Sequence, residues 1–140
     1  MIRQFFKAKT TDKNLDVAIL ILRFGVMAFM LVHGVPKLMK LMAGGEIKFA
    51  DPIGLGMGFT LFLAVFSEFL CSILIGIGLG TRLAALPLIA TMAIAAFVSH
   101  ADDPFGSKEK ALLYLVIYLV LFLVGSRKYS VDHLISGKMR

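Results

Sequence analysis

The sequence predicts an all-α fold, a transmembrane four-helix bundle that fills residues 1–140 as a single membrane domain. Three observations predict it. Hydrophobic residues make up 59% of the 140. The mean hydropathy, +0.87, is well above that of a soluble domain. The apolar residues also lie in long continuous runs separated by short polar joints. Such runs do not alternate as barrel strands do, and an open sheet edge in hydrocarbon would leave its N–H and C=O groups without partners.

A bilayer core of about 30 Å takes about 20 apolar residues per helix. Four segments qualify, at roughly 15–39, 57–79, 82–99 and 110–124. The first follows Arg3, Lys7, Lys9 and Lys13, an arrangement that outwardly resembles a secretion signal. Arg23 interrupts it, however, and "MLVHG" offers no small-x-small cleavage site, so it is expected to remain as a span. The second follows the glycine-rich joint "AGGEIKFADPIGLGMG". It carries Ala64, Glu68, Ser72, Gly76 and Gly80 at every fourth position, a face that lets a neighbouring helix come close and turns Glu68 inward. "GIGLG" at its end is not a dinucleotide fingerprint, since no strand precedes it. The third segment starts after the tight turn "GLGTR", which sets Arg82 at the membrane edge. The fourth follows "HADDPFGSKEK", with Ser107 as the expected helix start. Its Tyr114, Tyr118 and Phe122 form a stripe suited to core packing or to stacking on a planar ligand.

The net charge of +6 does not point to nucleic acid, because the basic residues flank the apolar runs. Flanking charges set orientation and meet lipid head groups. With four spans both termini share a side. That side holds nine Lys or Arg, namely Arg3, Lys7, Lys9, Lys13, Arg82, Arg127, Lys128, Lys138 and Arg140. The other holds five: Lys37, Lys40, Lys48, Lys108 and Lys110. The positive-inside rule therefore places both termini in the cytoplasm. Cys71, the single cysteine, excludes a dithiol mechanism within one chain and reads as a small packing residue.

Polar residues inside the spans are the functional leads, since a lone charge there costs several kcal/mol, roughly, and usually pairs. Arg23 lies about 12 Å into the first helix and Glu68 about 16 Å from the cytoplasmic end of the second, at about 1.5 Å per residue. An Arg23–Glu68 pair is expected, as a structural clamp or as part of a ligand site. At the other end His33 and His100 share a depth of about 27 Å by the same rise. With Lys37, Asp102 and Asp103 they outline an outer-end pocket. Two histidines at one depth suit haem or metal ligation, a quinone carbonyl, or simple anchoring at the interface. No metal is assigned, and haem is the least favoured of these. Arg23, Met27, Met30, Gly34 and Lys37 make one polar and soft face along the first helix.

"LRFGVMAFMLVHGVPKL", "FSEFLCSILIGIGLGTRLAAL" and "SHADDPFGSKEKALLYLVIYLVLFLVGSRKYSVD" together resemble the DoxX family of small four-helix membrane proteins. The resemblance runs in order through Arg23, Gly34, Lys37, Glu68, Gly78, Thr81, Arg82, His100, Glu109, Gly125, Tyr129, Ser130 and Asp132. It implies a link to redox membrane complexes. Some relatives are quinone-reducing subunits of thiosulfate oxidation, and others act beside superoxide- and thiol-handling enzymes. The resemblance supports Arg23, Glu68, Arg82 and His100 as positions to follow. This short chain lacks the extra domain of the longer thiosulfate-linked relatives, so thiosulfate is not expected as substrate.

Three functions compete at this level. The first is a quinone-binding subunit of an oxidoreductase, dependent on a partner redox protein for electrons because the chain has no flavin, iron–sulfur or haem-attachment motif. The second is a non-catalytic scaffold subunit. The third is a proton or small-solute carrier working through Glu68, which would need a homo-oligomer to supply the second half of the pathway.

Overall fold

A computed structural model of the chain describes residues 12–138. Among the described residues there are five helices and no strand. They are α1 (Asp12–Met42), α2 (Met57–Ile77), α3 (Thr81–Ser99), α4 (Phe105–Val124) and α5 (Val131–Lys138). α1, α2 and α3 are long and apolar enough to cross a membrane. The basic residues expected at 3, 7, 9 and 140, and the side chain of Lys138, fall outside the described residues.

α1 and α4 outrun their apolar segments and α2 stops two residues short of its own, because local chain chemistry at the joints, rather than hydropathy, ends the helices. α1 starts on Asp12 and carries Lys40 in its last turn, charges of the sign that each helix end favours. Pro36 lies inside α1 and Pro87 inside α3 without ending either. α4 starts at Phe105 rather than near 110, directly after Pro104. Ser107 is therefore within the first turn, its amide donating to Pro104 O at 2.9 Å, instead of capping from outside. α2 ends in a Schellman motif: Leu79 N donates to Leu74 O at 2.9 Å while Gly78 takes the left-handed conformation, φ 74°. Gly80 is also left-handed, φ 58°, and the two glycines turn the chain straight into α3.

Each long helix packs on the next, and α1 also touches α4. Met30, Ile75, Leu88, Tyr118 and Leu121 meet in the core, each no more than 1% exposed. Two stretches depart from α geometry: Phe66–Cys71 in α2 and Ala95–Ser99 in α3 are π-helical. A π turn inserts one residue and re-aims the side chains around it. The first of these turns contains Glu68 and lies against Gly34 of α1. A Cβ at Gly34 would stand 2.6 Å from the Glu68 carbonyl oxygen, so only glycine permits this approach.

Candidate functional site

Arg23 and Glu68 are both buried, 1% and 4% exposed, but they do not pair. Arg23 binds four backbone carbonyls instead. Its Nε donates to Ile75 O at 3.0 Å and Nη2 to Gly76 O at 2.9 Å. Its Nη1 donates to Ser126 O at 2.6 Å and to Tyr129 O at 2.9 Å. The expected clamp between two charges is thus a clamp between a charge and a helix end. Ile75 O and Gly76 O lie in the last turn of α2, and a cation placed there adds donors to them along the helix dipole.

The same knot gathers the chain after α4. Asp132 Oδ1 accepts from Gly80 N at 2.7 Å, and its Oδ2 from Thr81 N at 3.3 Å and Ser126 Oγ at 3.0 Å. It caps the start of α3 from α5. Asp132 N in turn donates to Gly78 O at 2.9 Å. Arg82, exposed, reaches across to Leu123 O at 3.1 Å and ties the start of α3 to the end of α4. At the edge, Arg127 binds Asp16 at 2.7 Å.

Glu68 binds Lys37. The ammonium donates to Oε1 at 2.5 Å and also contacts Oε2. Lys37 is 27% exposed and Glu68 only 5% at the side chain, so one partner lies inside the protein and the other at its boundary. Truncating one member of such a pair strands the other charge, at a cost of about 3–5 kcal/mol.

The pair stands at the edge of a cavity of about 420 Å³ between α2, α3 and the joint after α1. That size falls within the ~300–1,000 Å³ usual for small-molecule sites. Leu63, Phe66, Ala90 and Ile94 supply apolar walls. Leu63, Phe66 and Ala90 are exposed on the outer face of the helices, which opens the cavity sideways. Ser67 and Thr91 share a hydrogen bond of 2.8 Å across α2 and α3, and Thr91 also donates to Pro87 O at 2.8 Å. Both π-helical turns contribute lining residues, Phe66, Ser67 and Glu68 from one and Ala95 and Ser99 from the other.

The joint roofs the cavity with Phe49, Ala50, Pro52 and Ile53. Asp51 holds this roof. Its carboxylate accepts from Leu55 N at 2.9 Å, Gly56 N at 2.8 Å and Thr60 Oγ1 at 2.8 Å. The Thr60 hydroxyl, aided by those amides, keeps the Asp51 carboxyl below its ordinary titration range.

Of the expected outer-end pocket, only Lys37 lines this cavity. His33 stands edge-on to Tyr114 with ring centroids 6.2 Å apart. His100 Nδ1 pairs with Asp103 Oδ2 at 2.6 Å, and Asp102 is exposed. The two histidines thus have separate partners. Equal depth along two helices leaves their azimuth open, and here the two side chains point to different neighbours. Among the described residues no group of three His, Cys, Asp or Glu is placed to hold a metal. Tyr114 and Tyr118 stack at 6.2 Å, with Tyr118 fully buried in the core rather than beside the cavity.

Sequence reasoning passed over Phe49, Thr60, Ser67 and Thr91. Ser67 and Thr91 carried a visible signal, as hydroxyls inside apolar runs. Phe49 carried none, because an aromatic residue in a joint has no periodicity to read.

No curated protein and no solved structure matches the chain. The family model for DoxX does match, over residues 18–101. That stretch contains Arg23, Lys37, Glu68 and the whole turn from Gly78 to Arg82, and the chain belongs to the DoxX family.

Proposed function

We propose that this multi-pass membrane protein binds the head group of a quinone in the cavity between α2 and α3, as a subunit of a redox system whose electrons come from a partner protein. One observation carries the reading: an apolar cavity, open sideways, whose only ion pair is Lys37–Glu68 among the residues that line it. Apolar walls and lateral access suit a ligand that arrives through the bilayer. The Lys37 ammonium is a donor for a carbonyl oxygen, and the Glu68 carboxylate fixes that ammonium and is a proton-accepting group beside it. A bound quinone supplies a two-electron, two-proton acceptor. In this reading α4 is a fourth span with Lys108, Glu109 and Lys110 at its outer end. Both termini then lie in the cytoplasm of a bacterial inner membrane.

Mild-detergent purification tests this directly. Wild-type protein is expected to carry extractable quinone, and Lys37→Met and Glu68→Gln to lose it by about 10-fold or more, the scale of one hydrogen bond to a charged group. Asp102→Asn, remote from the cavity, is expected to keep it. Equal quinone in wild type and Glu68→Gln overturns the assignment. A second reading, a non-catalytic scaffold, is favoured by Arg23, whose charge is spent wholly on holding backbone. Co-purifying membrane or redox proteins without any quinone would establish that one instead.

A further inference from the structure

Apolar walls and one ammonium group do not by themselves discriminate among amphipathic molecules with a carbonyl at the head. Phe49 does. It lines the cavity together with Lys37 and Glu68, although it comes from the joint and not from a span. Its ring centroid lies 5.9 Å from Lys37 Nζ and 5.9 Å from Lys40 Nζ, so both ammonium groups sit over the ring.

The ring is held from both sides. Lys40 Nζ donates to Lys48 O just before it. Asp51 binds Leu55, Gly56 and Thr60 just after it. Ile47 also packs on Gly58 at the start of α2, with Ile47 Cδ1 3.7 Å from where a glycine Cβ would stand. A ring fixed in this way is a wall of the site.

We infer that Phe49 is the specificity-determining residue of the cavity: it stacks on a planar, conjugated head group whose carbonyl oxygen accepts from Lys37. This rests on the quinone-binding reading above. An ammonium has three donors, and the two oxygens of Glu68 engage two of them. The third remains for a ligand carbonyl. With the Phe49 centroid 5.9 Å from Lys37 Nζ, an oxygen bonded to that ammonium at about 2.9 Å leaves the attached ring within reach of Phe49, and the ~4.5–7 Å centroid separations of offset stacking are accessible to it. An electron-poor quinone ring gains from the electron-rich face of Phe49. A saturated ring is not flat and gains only contact area.

The test uses the full chain in lipid nanodiscs and two probes, a decyl-tailed para-benzoquinone and the ring-saturated decyl-tailed cyclohexanedione. The quantity read is the ratio of their dissociation constants within each variant, so a general loss of folded protein cancels. Wild type is expected to prefer the quinone. Phe49→Leu is expected to cut that preference roughly 3- to 10-fold, the scale of an aromatic pair. Phe49→Met is expected to do the same, and Phe49→Tyr to retain the preference. An unchanged ratio in Phe49→Leu and Phe49→Met overturns the inference, and so does a wild type that binds both probes equally; in either case the quinone reading survives. A wild type that binds neither probe overturns the quinone reading and the role of Phe49 with it.

Discussion

Arg23 and Glu68 are buried charges at different levels of apolar helices, Arg23 beside Ile75 and Gly76 and Glu68 beside Gly34, and they meet the cost of burial in different ways. Arg23 uses its planar fork to take four carbonyls. Glu68 takes a single ammonium. A residue count put Arg23 and Glu68 within one turn of each other in depth, but Arg23 meets Ile75 O and Gly76 O, about two turns nearer the end of α2 than Glu68. A count of residues places Lys37 at the outer surface, away from Glu68, yet the two pair. Side chains lean toward the N-terminus of their own helix. On antiparallel α1 and α2 this bends Lys37 inward and Glu68 outward, one turn beyond the Gly34 contact, and the two meet. A double-mutant cycle separates the two arrangements. Lys37→Met and Glu68→Gln are each expected to cost about 3–5 kcal/mol in detergent unfolding, and together clearly less than the sum. Arg23→Gln combined with Glu68→Gln is expected to be additive within about 0.5 kcal/mol. Strong coupling between Arg23 and Glu68 would contradict the geometry.

At the scale of the elements, the joint after α1 is as much a part of the site as the spans. The Asp51 carboxyl holds it together and titrates below its ordinary value of 3.8 because the folded joint donates to the charged form. The stability it contributes is therefore complete above the unfolded value and is lost as pH falls through the lower, folded value. Amide hydrogen exchange at Leu55 and Gly56, corrected for intrinsic rates, is expected to lose protection as pH drops below 3.8. Asp51→Asn is expected to weaken protection at neutral pH and to remove the pH step. A step of equal size in Asp51→Asn would assign it to another carboxylate. The π-helical turns were not legible in advance, since Phe66–Cys71 and Ala95–Ser99 contain no residue that demands an extra backbone unit. The tight turn after α2 was legible in "GLGTR", but the helix ends at Ile77 rather than 79, because Gly78 takes the left-handed conformation and Gly80 leaves the helix face.

Over the whole molecule, two polar centres divide the labour. The knot of Arg23, Gly78, Asp132 and Ser126 joins α1, α2, α3 and α5 at one end. The Lys37–Glu68 pair and its cavity lie toward the other. The residues that carry the family resemblance fall into both. The proposed topology sets the knot on the cytoplasmic side and the roofed cavity toward the outside. Cysteine labelling in intact cells checks this. Glu46→Cys, exposed in the joint after α1, is expected to react with a membrane-impermeant maleimide. Lys128→Cys, exposed between α4 and α5, is expected to react only after permeabilisation. Native Cys71 is 2% exposed and stays silent in both. The reverse labelling pattern would invert the orientation.

The sequence by itself determined that the chain is helical and membrane-embedded, that Arg23 and Glu68 are buried, and where most of its turns lie. These follow from composition and from local chemistry: apolar run length, glycine at left-handed positions, and the cost of a charge in hydrocarbon. Only the tertiary structure decided which buried charge meets which partner, which neighbour each histidine takes, and that a loop aromatic lines the cavity. Those outcomes depend on helix azimuth, on side-chain lean and on one glycine-sized gap at Gly34. They exist only once the helices have packed.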